Sequence, residues 1–209
     1  MKRFDLINLL IENFNYKRYL EIGIKYGDCF DKIKCNVKYS VDPNPLNEAG
    51  VKPTYLMPSD KFFHVKDVLH SRQKYDIIFV DGLHHAEQVE RDIDNSLRYL
   101  NPKGIIICHD MNPQKEEYTI TPMPDDATQW HGDCWKAWVK LRATRDDLTM
   151  FVVDVDDGCG IIKYGKQEIL KLNTVNYKNL TYQMLDLKRD EWLLLVGETA
   201  FRKHFINLL

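Results

Sequence analysis

The sequence predicts an α/β protein. Its core is a doubly wound, mostly parallel sheet with a terminal antiparallel β-hairpin, and helical additions stand at both ends. Three observations carry this. Short apolar runs alternate with segments of helical periodicity. Two of those runs, YDIIFV at Tyr75–Val80 and GIIIC at 104–108, have the character of strands buried on both faces. The stretch YLEIGIKYGDCF at 19–30 reads as strand, acid, two glycines four apart, then the start of a helix.

Each element follows from local pattern. Phe4, Ile7, Leu10, Ile11 and Phe14 recur at helical spacing and predict an amphipathic helix over 3–15. Residues 18–23 form the first strand, and a helix begins at Asp28 and runs to about Lys34. A second strand at 38–41 stops at Asp42-Pro43-Asn44-Pro45, because proline cannot donate to a ladder. A third strand is expected at 54–57, with Ser59 capping a short helix through Phe63. After the fourth strand, Tyr75–Val80, a helix over 86–100 presents Val89, Ile93, Leu97 and Leu100 on one face. Asn101-Pro102-Lys103-Gly104 ends that helix, and the fifth strand runs to Cys108, just before His109-Asp110. Residues 111–132 hold Pro113, Pro122 and Pro124 and read as a long functional loop. A helix over 133–144 follows, then a hairpin of 148–155 and 160–164 around Asp156-Asp157-Gly158. From Lys166 the pattern is helical, including the apolar run 193–196. The chain thus divides into a domain over 1–165 and a helical appendage of that domain over 166–209.

Composition narrows the function. The chain has 209 residues, 44% of them hydrophobic and 29% charged, with a formal net charge of −2. No basic field argues for nucleic acid, and no apolar segment approaches the length of a membrane span. The five cysteines are scattered without a CxxC pair, which suits a reducing, cytoplasmic setting. The sequence leaves room for a homo-oligomer.

Polar groups cluster at the expected carboxyl ends of the strands, where an open α/β sheet binds its ligand. Gly23 and Gly27 allow a tight turn and close approach of backbone to ligand. Asp42, at the next strand end, is placed to accept hydrogen bonds from both hydroxyls of a ribose. GxGxxG is absent, so a dinucleotide pyrophosphate fits less well.

These residues resemble the class I S-adenosylmethionine-dependent methyltransferases, which share a Rossmann-like fold. Glu21-Ile22-Gly23 with Gly27 is similar to their first motif, and Val41-Asp42 to the acidic second. Asp81-Gly82-Leu83-His84-His85-Ala86-Glu87, then Leu100-x-Pro102-x-Gly104 and His109-Asp110, resemble the DGxHxYE…LxPGG…HD pattern of one branch. That branch contains metal-dependent sugar and small-molecule O-methyltransferases. Ala86 departs from its tyrosine and Lys103 from its glycine.

The resemblance implies an enzyme that moves a methyl group from S-adenosylmethionine to a hydroxyl, with a sugar or glycan as acceptor. It implies cofactor contacts from Glu21, Gly23, Gly27, Asp42 and Asp81, with Ser59 and Asp60 near the adenine. It also implies a divalent cation, Mg²⁺ or Mn²⁺, on Asp81, His109 and Asp110. The proton acceptor is His84 or Asp81, since histidine titrates near neutrality. His85, Trp130 and His131 are candidates for acceptor contact, because aromatic faces beside hydrogen-bonding groups suit carbohydrate. Two other readings stand beside this one. One is a metal-dependent glycosyltransferase built on the D-x-D of Asp154 and Asp156. The other is a non-catalytic module that binds a glycan or a protein partner.

Overall fold

A computed structural model of the chain describes residues 1–46, 52–69, 73–172 and 176–206. In chain order the main elements are α1 (Arg3–Phe14), β1 (Arg18–Ile22), α2 (Asp28–Lys32), β2 (Val37–Val41), α3 (Ser59–Leu69), β3 (Tyr75–Val80), α4 (Ala86–Tyr99) and β4 (Leu100–Cys108). They continue with α5 (Cys134–Thr144), β5 (Leu148–Asp154), β6 (Cys159–Tyr164), α6 (Tyr182–Leu193) and β7 (Leu195–Gly197). The fold is the expected Rossmann-like, mostly parallel α/β arrangement with an antiparallel hairpin. It divides into two units, Met1–Leu83 with Arg91–Ile107, and His84–Glu90 with Cys108–Leu209.

In the first unit the strand order is β2-β1-β3-β4. β1 pairs in parallel with β2 on one side and with β3 on the other. The chain therefore leaves β1 outward to β2 and returns across it to β3. This makes the end of β1 a topological switch point, where such sheets bind ligands. Successive strand residues face opposite sides, and Tyr75, Ile77, Ile78 and Phe79 of β3 are all buried, so both faces of β3 are covered. Helix α1 buries Leu6, Ile7, Leu10 and Ile11. It ends at Asn15, whose left-handed backbone lets its N–H reach Ile11 and Glu12 carbonyls.

In the second unit the order is β6-β5-β7. β5 and β6 pair antiparallel from Leu148↔Tyr164 to Val153↔Cys159, the hairpin that the sequence predicts. Trp135 and Trp138 of α5 are buried. The Trp138 indole lies so close to Gly160 of β6 that a Cβ there would stand 2.4 Å from Cζ3. Trp135 stacks on Trp192 of α6, with centroids 6.5 Å apart.

Three local expectations change. Residues 54–57 form no strand; Tyr55 makes one isolated bridge with Val41. β4 begins at Leu100, directly after α4, so Asn101-Pro102-Lys103 belong to the strand rather than to a loop. The C-terminal region is not wholly helical, because residues 195–197 pair in parallel with β5 as β7. Among the described residues no helix is long and apolar enough to cross a membrane. All five cysteines are free thiols.

Candidate active site

The first unit builds its site around Gly23. Its φ of +84° suits glycine, and a Cβ there would fall 2.2 Å from the Asp81 carbonyl oxygen. Gly23 N–H donates to Val41 O at 2.9 Å and Asp81 N–H to Ile22 O at 2.9 Å, so the ends of β1, β2 and β3 meet at this residue. Asp42 is 7% exposed. Its Oδ2 accepts from Ile24 N–H at 2.8 Å and Lys25 N–H at 3.1 Å, and its Oδ1 from Asn44 N–H at 2.7 Å. A carboxylate has about four acceptor positions. Asp42 therefore shapes the 23–27 turn with most of its capacity, and its remaining position is open to a ligand hydroxyl. Gly27, with φ of +83°, caps the five-residue α2.

Glu21 lies on β1, 1% exposed, and its carboxyl accepts the Tyr19 hydroxyl. Burial pushes Glu21 up to about 8, with Asp81 adding to the rise and the Tyr19 bond, Arg3 and Lys38 opposing it. Burial and the neighbouring Glu21 also raise Tyr19 well above its ordinary value. Glu21 is thus a neutral acid at pH 7, and a cation beside it would favour its charged form. Asp81 follows β3 with Arg3 Nε 3.9 Å from its Oδ2. Ser59 and Asp60 occupy the first turn of α3, and Asp60 Oδ2 stands 3.5 Å from Arg91 Nε.

The second unit is organised around Asp110, which is 4% exposed and sits at a φ of +61°. Three histidines converge on its carboxylate. His84 Nδ1 is 3.1 Å from Oδ2, His109 Nδ1 is 2.9 Å from Oδ1, and His131 Nε2 is 3.7 Å from Oδ1. His84 Nδ1 also lies 3.1 Å from Trp130 O, and its ring stacks on the Trp130 indole at 5.1 Å and 17°. Two acceptors facing Nδ1 place the proton there and leave Nε2 basic. His85 meets the same indole edge-on at 5.9 Å. His109 has carboxylates at both nitrogens, since Nε2 is 3.6 Å from Asp156 Oδ2.

His131 Nε2 lies 3.7 Å from Asp157 Oδ1 and 3.0 Å from Gln129 Nε2. Burial lowers the His131 imidazole below its ordinary value, aided by His109 and His84 and opposed by Asp110 and Asp157. Its neutral ring accepts from the Gln129 amide. Asp110, His131 and Asp157 offer two carboxylate oxygens and one imidazole nitrogen within 4.8 Å of one another, which could hold a cation. That donor set suits Mg²⁺ or Mn²⁺ better than a thiophilic metal.

The loop is pinned where it returns to His84. A Cβ on Gly132, whose φ is +61°, would stand 1.8 Å from His84 O. Asp133 N–H donates to His84 O at 3.2 Å, and Asp133 Oδ1 accepts Ala86 N–H at 2.7 Å, so a residue from 47 positions away satisfies the first turn of α4.

Among the predicted residues the structure brings Glu21, Gly23, Gly27, Asp42 and Asp81 to one end of the first unit. It brings His84, His85, His109, Asp110, Trp130 and His131 together in the second. Ser59 and Asp60 lie in the first turn of α3. Sequence reasoning missed Asp157 and Gln129 as members of the site. The Asp156-Asp157-Gly158 signal shows a turn, and both aspartates there have positive φ. The D-x-D carboxylates are already engaged, Asp154 by Asn112 Nδ2 at 2.8 Å and Asp156 by His109.

Comparison with known proteins bears on the fold that carries these residues. Residues 20–111 match the family model described as a methyltransferase domain. An uncharacterized protein of Sinorhizobium fredii, y4gI, is 24% identical over 92 residues, which are 44% of this chain and only 8% of that protein's length. The O-methyltransferase TomG of Streptomyces achromogenes, involved in tomaymycin synthesis and solved with S-adenosylmethionine, is similar at a TM-score of 0.54. It is 16% identical, over 78% of this chain and 79% of that one. A Bacillus cereus O-methyltransferase in complex with S-adenosylhomocysteine gives 0.53 at 13% identity, over 77% and 78%. An S-adenosylhomocysteine-bound methyltransferase of Podospora anserina gives 0.50 at 20% identity, over 78% of each chain. At these identities the shared feature is the fold. The domain match runs from β1 through Asp110, and the fold shared with O-methyltransferases solved with S-adenosylmethionine or S-adenosylhomocysteine extends well beyond it.

Proposed function

We propose that the protein is an O-methyltransferase that moves the methyl group of S-adenosylmethionine to a hydroxyl of a sugar or glycan, with a divalent cation assisting. The observation that carries this reading is the convergence of His84, His109 and His131 on Asp110. That cluster gives a buried carboxylate a basic imidazole beside it, which transfer to a hydroxyl requires and a bare cofactor-binding fold does not.

Gly23, Gly27 and Asp42 shape the turn that would receive the cofactor, and a cationic group of the cofactor beside Glu21 would favour its charged form. In the second unit Asp110 holds the Nδ1–H of His84, so Nε2 takes the proton of the acceptor hydroxyl. The hydroxyl oxygen attacks the methyl carbon as the carbon–sulfur bond breaks, and S-adenosylhomocysteine leaves. Asp110 then faces an imidazolium, whose charge it stabilises. General-base assistance of this kind contributes on the order of 10²–10⁴ in rate. Asp110, His131 and Asp157 fit a divalent cation, which when bound would lower the hydroxyl's pKa. The parts of Asp81 and His109 as ligands rest on the family resemblance. Trp130, stacked on His84 and met edge-on by His85, offers a sugar an aromatic surface next to hydrogen-bonding groups.

The test is calorimetry followed by an acceptor screen. S-adenosylhomocysteine binds and nucleotide sugars do not; the reverse result would favour the glycosyltransferase reading. Sugars and glycans then accept labelled methyl groups in a reaction that EDTA slows and Mn²⁺ or Mg²⁺ restores. Transfer only to non-carbohydrate hydroxyls would overturn the acceptor assignment.

A further inference from the structure

The function above gives the C-terminal region no part, yet helix α6 grips the loop that leaves β4. Arg189 makes most of this grip. Its Nη1 donates to Asn112 Oδ1 at 2.6 Å and to Pro113 O at 2.8 Å. Its Nη2 donates to Asp186 Oδ1 at 2.8 Å and to the Tyr182 hydroxyl oxygen at 3.3 Å. The Tyr182 hydroxyl in turn donates to Gln114 O at 2.7 Å, and Gln183 Nε2 donates to Glu116 Oε1 at 2.7 Å. One side of α6 therefore holds Asn112, Pro113, Gln114 and Glu116 together.

The grip reaches the Asp110 cluster from both ends of the loop. Asn112, 1% exposed, stands two residues after Asp110. Its Nδ2 donates to Asp154 Oδ1 at 2.8 Å and its N–H to Asp157 O at 2.9 Å, so the atom Arg189 holds belongs to the residue that docks the β5–β6 turn. Farther along, the Tyr118 carbonyl accepts from His131 N–H at 2.9 Å and Gly132 N–H at 3.1 Å. Holding residues 112–116 thus fixes the segment that positions His131.

An exposed Arg–Asp pair alone would be worth little. The Arg189 side chain, however, is only 16% exposed and spends its other donors on neutral oxygens of the loop. A planar fork can serve several such acceptors at once, whereas a lysine ammonium on a flexible stem cannot match that geometry.

We propose that α6 is a clamp for the acceptor loop, with Arg189 as its positioning residue, keeping Asp110, His131 and Asp157 in mutual register. The proposal rests on reading Asp110 as the reactive end of the site. Hydrogen–deuterium exchange tests it without needing the acceptor. In Arg189→Ala the amides of Asn112, His131 and Gly132 exchange at least tenfold faster. Amides of β1 and β3 keep their rates, and S-adenosylhomocysteine binds as before. Arg189→Lys lies between wild type and Arg189→Ala. With an acceptor in hand, its KM rises in Arg189→Ala by a larger factor than kcat falls. Unchanged exchange at the three loop amides in Arg189→Ala overturns the clamp. If Arg189→Ala loosens the whole chain, Tyr182→Phe decides, because it removes only the hydroxyl's bonds: faster exchange across the loop supports the clamp and no change refutes it. A wild-type protein that fails to bind S-adenosylhomocysteine would remove the functional reading and leave the exchange result intact.

Discussion

Replacing Glu21 by glutamine should remove a pH dependence that the buried carboxyl imposes on folding. Burial raises Glu21 from 4.5 to about 8, so between these values the folded chain holds a proton that the unfolded chain has released. A raised acid contributes stability that is fully present below pH 4.5 and lost as pH climbs through about 8. At about 1.4 kcal/mol per pH unit the interval amounts to roughly 5 kcal/mol. Structural relaxation that admits water would shrink that figure without changing its sign. Glutamine keeps the shape of the neutral acid and can still accept from Tyr19. Urea unfolding of wild type and Glu21→Gln, followed by tryptophan fluorescence from pH 4.5 to 9, provides the comparison. The two proteins should be close in stability at pH 4.5, with the variant several kcal/mol more stable by pH 9. A difference that stays constant across this range would refute the reasoning.

Other substitutions test the cofactor end. Gly23→Ala places a methyl group 2.2 Å from the Asp81 carbonyl at a φ of +84°. It should cost at least about 2 kcal/mol in denaturant unfolding and abolish S-adenosylhomocysteine binding in calorimetry. Asp42→Ala leaves the amides of Ile24, Lys25 and Asn44 without their acceptor. It should destabilise by about 1–3 kcal/mol and weaken S-adenosylhomocysteine at least tenfold, with Asp42→Asn intermediate.

Much of the fold is legible because it rests on local physics. Tyr75–Val80 is apolar enough to demand burial on both faces, and it forms β3 over those residues. The helix ahead of β1 declares itself through one apolar face. Pro102 and Gly104 made the start of β4 read as a turn, since proline normally sits only at strand edges, starts or bulges. The run around Leu195 fits a helix or a strand equally well until a neighbour supplies hydrogen bonds, and here β5 supplies them. The site shows the same division. Gly23, Asp42 and Asp110 stand at strand ends, where the sequence marks them. His131 meets Asp157 across 26 residues and Asp133 meets Ala86 across 47, through contacts that no local periodicity announces. Asp42 also illustrates a limit of motif reading, because its carboxylate spends most of its capacity on its own loop.

The most direct measurement compares wild type with Asp110→Ala in two assays: calorimetry with S-adenosylhomocysteine, and transfer of labelled methyl groups to a sugar acceptor. Asp110 holds His84 and belongs to the proposed cation site, so the variant should bind S-adenosylhomocysteine like wild type while transfer falls at least about 10²-fold. Undiminished, EDTA-insensitive transfer by Asp110→Ala would contradict the account.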